Sequence, residues 1–353
     1  MNRGLRILLL ALGLGLFGFF IHNAGVDQIA NAFKGLGWWA AVVLVPYATV
    51  FSIDTLGWRH TFTREVAEKV SYRAMWYVRL AGEAVNNMIP SLYVGGEAAK
   101  VYLLNKRGVP VVNSTAAAVR SKTAQSVAQS TFIAMGALIA AMALPAEQVV
   151  AKYIFGGMAA CGFVVMALLF KLQARGMFMT LLGWVRRLGL RLRSLDARED
   201  GLRRMDEAIS SFYTQSRRRF VKCTLLYLVG WVFDTFEILL VSYALGTPVS
   251  FHEALVIEAF IGVAKGFNTV VPGAFGVQEF SVMALFMMFG LPKELGVQYA
   301  IIRRGRDLAF TALGWGFLYH SEASLRGLTE RVRSEAEEME SVADAARAER
   351  LED

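Results

Sequence analysis

Apolar and polar positions fall along this chain in long blocks, with neither the period of a strand nor that of a surface helix. Six apolar runs approach the roughly 20 residues that cross about 30 Å of hydrocarbon as helix: Ile7 to Ile21, Trp38 to Phe51, Ser130 to Leu144, Val150 to Phe170, Leu225 to Leu245 and Leu308 to Tyr319. Alternating ten-residue segments are absent, which predicts helices rather than a barrel. Two other apolar stretches, Tyr72 to Leu104 and Leu255 to Phe289, are interrupted by polar residues and by Pro90 and Pro272. The two arms around Pro90, about 17 and 13 residues, reach only about 25 and 20 Å as helix. These stretches predict hairpins that dip into the membrane and return; two full crossings each would leave the orientation of the other segments unchanged. The predicted fold class is an all-α integral membrane protein, an inverted repeat with two re-entrant or broken-helix hairpins and about six full transmembrane helices.

The repeat rests on spacing. Asn86, Pro90 and Glu97 recur as Asn268, Pro272 and Glu279, each pair 182 residues apart. The same offset carries Lys122 onto Arg304 and brings Asp54 close to Asp234 and Glu237. The copies run over about 38–145 and 221–319, within a membrane domain of 1–320.

Composition changes the picture little: 353 residues with 55% hydrophobic content and a mean hydropathy of +0.43 are too apolar for a water-soluble domain. Charge adds direction. The net +8 is concentrated where Arg186, Arg187, Arg191, Arg193, Arg203, Arg204 and Arg217 to Arg219 crowd a connection at about 171–220, which the positive-inside rule assigns to the cytoplasm. That rule explains the arginines without nucleic acid; contact with anionic headgroups is an addition. Arg3 and Arg6 place the first helix inside-to-outside, and no clear small-x-small site follows Phe20, so an uncleaved helix is expected rather than a signal peptide. The first hairpin then enters from the cytoplasm and the second from outside, so the copies are oppositely oriented and both termini are cytoplasmic. Ser321 to Asp353, acidic and without an apolar stripe, reads as a solvated tail. Cys161 and Cys223 read as buried, inert thiols.

The candidate chemistry lies at the two breaks. Pro90 and Pro272 each remove a donor and bias the residue before them away from helix. Gly95, Gly96, Gly273 and Gly276 permit tight turns and close approach; hairpin architecture alone also accounts for them. Asn86 and Asn268, upstream, are placed to supply amides to the exposed carbonyls. Glu97 and Glu279 sit in the first turns of the returning arms, where a carboxylate stabilises a helix by itself and where half-helix N-termini welcome an anion. Arg120 and Lys122 near the start of one span, and Arg303, Arg304 and Arg306 within the last, are ionisable groups at depth and hence functional candidates. Pairing Glu97 with Lys122 and Glu279 with Arg304 would repeat by symmetry; Asp307, at i+4 from Arg303 and i+3 from Arg304, offers a local pair instead. Asp234 with Glu237, and Glu258 with Lys265, share helix faces and either line a wet cavity or join helices. Trp38, Trp39, Trp58 and Trp76 read as interfacial anchors. No GxSxG, HExxH or Walker motif is present, and His22, His60, His252 and His320 are scattered. No catalytic residue, metal ligand or cofactor is therefore expected, and the chain is not read as an enzyme.

Asn86 to Leu104, with Gly95-Gly96-Glu97 followed by Ala98-Ala99-Lys100, and Val271-Pro272-Gly273-Ala-Phe-Gly276-Val-Gln-Glu279 resemble the two signature segments of the flippase-like family typified by the membrane half of bacterial lysyl-phosphatidylglycerol synthase. Ile301-Ile302-Arg303-Arg304 is similar to that family's arginine-bearing final helix. The first signature departs at Ser91, where glycine is common. The resemblance covers about residues 5 to 320 and leans toward the branch associated with hopanoid biosynthesis. It implies a multi-pass protein of the bacterial cytoplasmic membrane that moves a polar or charged lipid between leaflets. Phospholipid, hopanoid or polyprenyl-linked lipid would be its partner. Substrate would bind at Asn86, Glu97, Lys122, Asn268, Glu279, Arg303 and Arg304. No soluble aminoacyl-transferase domain follows Tyr319, so lysyl transfer is not carried over. The alternative is a membrane scaffold presenting a lipid intermediate to a biosynthetic enzyme docked on the basic loop and acidic tail.

Overall fold

The computed structural model describes residues 36–88, 94–143, 217–265 and 276–320, with isolated positions elsewhere. All regular structure among them is α-helical. The expected spans Ile7 to Ile21 and Val150 to Phe170, the loop at 171–216 and the tail lie wholly or largely outside the described residues.

Helix α1 (Trp39–Val42) runs into α2 (Leu44–Arg59) through a helical Val43, and Pro46, which lacks the N–H that would reach Val42 O, interrupts the hydrogen-bond ladder where they meet. A short α3 (Arg64–Lys69) carries an exposed Arg64–Glu68 pair and leads to the first hairpin, α4 (Tyr72–Met88) and α5 (Val94–Asn105). Helix α6 (Val111–Ala143) follows. Later in the chain come α7 (Arg217–Ala244), the arms α8 (Phe251–Lys265) and α9 (Val277–Met288), and α10 (Lys293–His320), a long helix, two short arms and a long helix as in α2, α4, α5 and α6. Ser250 and Glu253 cap α8 reciprocally, each backbone N–H bonding to the other's side-chain oxygen.

Among the described residues, three helices are long and apolar enough to cross a membrane: Trp39–Arg59, Val111–Met142 and Arg217–Ala244. Helix α10 is as long as α7, and its internal charges keep it outside that group. The described parts of the hairpin arms, of 17, 12, 15 and 12 residues, measure about 18–25 Å each. One expected boundary moves: α7 begins at Arg217, inside what reads as loop. Long arginine stems follow the apolar helix surface and leave their charged heads in water, so Arg217 to Arg219 extend the helix.

Both returning arms end in the same device. Gly108 (φ +81°) lets Val109 N–H reach Leu104 O at 3.1 Å, and Gly290 (φ +71°) lets Leu291 N–H reach Phe286 O at 3.0 Å. A side chain at either position would be strained, and Pro110 and Pro292 follow two residues on. This matched Gly-x-Pro, again 182 residues apart, was not used in the sequence reading.

Helices α2 and α7 pack along one another: the Tyr227 ring lies against Gly57, and Cys223 Sγ donates to Gly57 O at 3.2 Å. Cys223 is buried as expected. Cys161 is exposed, which corrects its reading; in a sequence apolar at nearly every position, composition does not separate outer from inner positions. Each hairpin packs against the long helix that follows the other hairpin. Helix α4 meets α10, where Gly314 faces Ala84 and Leu80 and Asn87 Nδ2 donates to Thr311 Oγ1 at 3.0 Å. Helix α8 meets α6, where Gly136 faces Ala259 and Gln129 Nε2 donates to Gly262 O at 2.9 Å. Small residues at these crossings let backbones approach closely, which is how helices gain packing energy where burial from water gives none.

Candidate functional site

The polar residues of the first half gather around α5. Asn86, near the end of α4, turns its Oδ1 to accept the Gly96 N–H at 2.9 Å and so satisfies a donor in the first turn of α5. The donation expected from the Asn86 amide to carbonyls freed at Pro90 has no counterpart among the described residues. Glu97, the next residue, meets Lys100 Nζ at 2.7 Å and Lys122 Nζ of α6 at 3.5 Å. Lys100 is buried, folded over Gly82 and 5.5 Å from the centroid of Trp58. A cation over an aromatic face is stabilised where water is scarce. Lys122 differs: its side chain keeps 42% of its surface. One helix turn away from this group, Arg79 of α4 bonds Asp54 of α2 at 2.7 Å and lies over Phe51.

The second half concentrates its charge on α10. Arg303 donates Nη1 and Nη2 to the two carboxylate oxygens of Glu258 at 2.7 and 2.8 Å and also reaches Tyr299 Oη. Arg304 Nε donates to Glu279 Oε1 at 2.5 Å, in the first turn of α9. Arg306 bonds Glu237 of α7, bonds Asp307 at 2.7 and 3.1 Å, and lies 3.9 Å from the centroid of Tyr47. The side chains of Arg303, Arg304 and Arg306 keep 1%, 9% and 2% of their surface, so these arginines are enclosed by their partners. Charges this deep persist only when paired and hydrogen-bonded.

The structure therefore brings together both symmetric pairs, Glu97 with Lys122 and Glu279 with Arg304. Arg303 goes instead to Glu258, and Asp307 pairs with Arg306 rather than with Arg303 or Arg304. Arg120 donates to Thr61 O at 3.2 Å and ties α6 to the turn after α2. Gly95 and Gly96 open α5, and Gly276 (φ +77°) caps α9. Pro90, Asn268, Pro272 and Gly273 lie outside the described residues. Trp58, read as an interfacial anchor, is 3% exposed and packs on Phe62 beneath Lys100; tryptophan near a helix end is equally suited to cover a buried cation. The sequence reading missed the Arg79–Asp54 bond, the Glu258–Arg303 fork and the roles of Lys100 and Arg306. Arg306 follows Arg303 by three residues, a spacing that keeps both near one face. No group of three or more His, Cys, Asp or Glu is placed to hold a metal among the described residues.

Residues 6–314 match the family described as the lysylphosphatidylglycerol synthase TM region. Two curated matches are both called UPF0104 membrane protein and come from Methanothermobacter thermautotrophicus. One is 28% identical over 95 residues, covering 26% of this chain and 28% of the relative. The other is 23% identical over 310 residues, covering 84% of this chain and 89% of the relative. No solved structure matches. With nearly the whole membrane part matched and its helices apolar, the chain is an integral membrane protein that belongs to the lysylphosphatidylglycerol synthase TM region family.

Proposed function

We propose that this protein is a lipid translocase without an ATP site of its own, in which a polar or charged headgroup passes between two hairpins while the tails stay in the bilayer. The observation that carries the reading is the pair of ion pairs, Glu97–Lys122 and Glu279–Arg304, each joining the first turn of a returning arm to the long helix that follows it. Ionisable groups set on short, proline-interrupted arms mark substrate pathways in membrane proteins. Lysyl-phosphatidylglycerol synthesis, in the family's description, is a lipid-related context for it.

The helix contacts support the repeat part of the proposal, with the extensive α6–α7 contact as an exception that has no comparable α2–α10 counterpart. Exchanging α2 with α7, α4 with α8, α5 with α9 and α6 with α10 turns the α4–α5 contact into α8–α9, α4–α10 into α8–α6, and α2–α6 into α7–α10. The matched caps at Gly108 and Gly290 obey the same exchange. The arginine excess between 186 and 219 favours a cytoplasmic connection, and with it an inner-membrane protein with both termini inside. A link to hopanoid or aminoacyl-lipid metabolism, and a partner enzyme drawn from it, follow from the resemblance of the two signature segments. The reading needs no covalent step.

The test is exposure of a headgroup-labelled lipid in liposomes to a membrane-impermeant reductant. Wild-type protein is expected to expose inner-leaflet label quickly, and Arg304→Ala and Glu279→Gln to fall to the protein-free rate while remaining folded and inserted. Wild-type rates in both variants would remove these pairs from the pathway, and slow exposure by wild type across phospholipids and hopanoids would favour a lipid-presenting scaffold.

A further inference from the structure

We propose that Glu237, Arg306 and Asp307 form a proton-binding site, in which two carboxylates share one proton and its arrival releases α10 from α7. This rests on the translocase reading and gives that movement a coupling ion.

A count of charges sets the site apart. Arg79, Arg303 and Arg304 each meet a carboxylate on another helix, Asp54, Glu258 and Glu279. Arg306 meets two, Glu237 of α7 and its own neighbour Asp307. Among the described residues it is the hydrogen-bond donor to both, so the three groups together carry one negative charge. That charge is enclosed: the side chains of Arg306 and Glu237 keep 2% and 0% of their surface, and the Tyr47 ring of α2 covers the guanidinium. A net charge in low dielectric is costly, and one proton removes it.

The described neighbours do not supply the missing positive charge. Asp234 of α7 and Glu258 of α8 add negative charge around Glu237, and Asp234 and Glu83 of α4 add it around Tyr47. Asp54 of α2 lies in the field of Asp234 and is bonded by Arg79 of α4. Arg303 and Arg304 face Asp307 from the preceding turn of α10, and each bonds a carboxylate elsewhere. The cations of α6, Arg120 and Lys122, lie toward Thr61 O and Glu97.

Geometry gives the proton a place and a way in. Glu237 Oε1 is buried and has no hydrogen bond among the described residues, while its other oxygen takes the Arg306 bond. Glu279 Oε2 is in the same condition, so an open oxygen marks where a proton fits and the charge count decides which carboxylate takes it. Asp307 keeps 22% of its side-chain surface and is the way in from water. Two carboxylates on one cation titrate as a pair. The proton comes from water and bonds to a carboxylate oxygen, and no bond between heavy atoms changes. Arg303 and Arg304 fasten α10 to its own hairpin, α8 and α9, whereas Arg306 fastens it to α7. With the proton on Glu237, Arg306 keeps Asp307 on its own helix, and α10 parts from α7 without stranding a guanidinium. Without the proton, Glu237 needs Arg306 and the two helices stay joined.

The test uses full-length protein in lipid at about pH 6 and about pH 8.5. Infrared difference spectra record the carbonyl stretch of a protonated carboxyl group, and liposomes record movement of a labelled short-chain phospholipid by its extraction with albumin. Wild type is expected to gain the carboxyl band at the lower pH and to move lipid at least fivefold faster there. Glu237→Gln, which stands in for the protonated state, is expected to lose the band and to move lipid fast at both pH values. Asp307→Asn leaves one carboxylate to one guanidinium, so it is expected to lose the band and to be slow at both. Glu279→Gln is expected to keep the band. A band retained in both Glu237→Gln and Asp307→Asn, or lost in Glu279→Gln as well, overturns the site. So does wild-type movement that is unchanged by pH, or a rate shifted in the same direction by Glu237→Gln and Asp307→Asn. Should Glu237→Gln fail to insert, Asp307→Asn decides alone, on its band and its flat pH profile. If the band depends on Glu237 and Asp307 and wild type moves no lipid at either pH, the translocase reading fails and the proton site stands.

Discussion

Glu258→Ala is expected to lower stability by about 3–5 kcal/mol, since it strands a guanidinium that has 1% of its side-chain surface exposed. Arg303 uses both terminal nitrogens on Glu258, and its remaining contact, Tyr299 Oη, is neutral. The fork also joins α8 to α10, so its loss loosens the second hairpin from the helix beside it. The measurement is thermal or denaturant unfolding of detergent-purified protein by intrinsic tryptophan fluorescence. Removing both charges with the apolar pair Glu258→Leu and Arg303→Met is expected to recover most of the loss, because a buried pair contributes little beyond what good packing supplies. A Glu258→Ala variant within about 1 kcal/mol of wild type would mean that water or another group reaches Arg303 when its partner is gone.

Gly96→Ala is the second large effect. A Cβ there would stand 2.2 Å from Gly82 O and 2.3 Å from Asn86 Oδ1, and the first of these is backbone that cannot swing aside. The arms α4 and α5 would have to part, and overpacking of this kind costs about 1–3 kcal/mol. Losing the Gly96 N–H bond to Asn86 adds roughly 1 kcal/mol. The same unfolding measurement checks it, with Gly316→Ala as the control. Nothing lies within 4 Å of a Cβ at Gly316, and alanine in a helix interior is favoured over glycine by about 1 kcal/mol, so that variant is expected to be as stable as wild type or slightly more so. Equal behaviour of the two variants would show that the hairpin arms are not in close contact.

The long elements were legible because an apolar run long enough to cross a bilayer has few alternatives, and α6, α7 and α10 lie where Ser130 to Leu144, Leu225 to Leu245 and Leu308 to Tyr319 predict helix. Their full lengths were not legible. Each extends past its apolar run into polar sequence: α10 runs through Arg303 to Arg306, which the sequence already sets within the last span and whose charges neighbouring helices satisfy, whereas α7 is helical from Arg217, where a loop is expected, with Arg217 to Arg219 exposed. Two ion pairs could be anticipated because equal spacing implied equal partners. Glu258–Arg303 and Asp54–Arg79 could not, since neither has a counterpart at offset 182: Ser121 stands where Arg303 would repeat and Ile261 where Arg79 would. Matched spacing finds pairs that recur at that offset and is silent on pairs that occur once.

The packing of α4 on α10 has a consequence for how the protein is made. Helix α4 carries Arg79, Glu83, Asn86 and Asn87, and one of its partners, Thr311, belongs to α10, the last of the described helices. About 200 residues separate the end of α4 from the start of α10, which at roughly 5–20 residues per second is roughly 10 to 40 s of synthesis. Through that interval α4 waits without α10, with α2 and α5 as its other main neighbours among the described helices. The Asp54–Arg79 bond and the two lysines on Glu97 come from α2, α4, α5 and α6 alone, so the first half neutralises its own charges before the second half is translated.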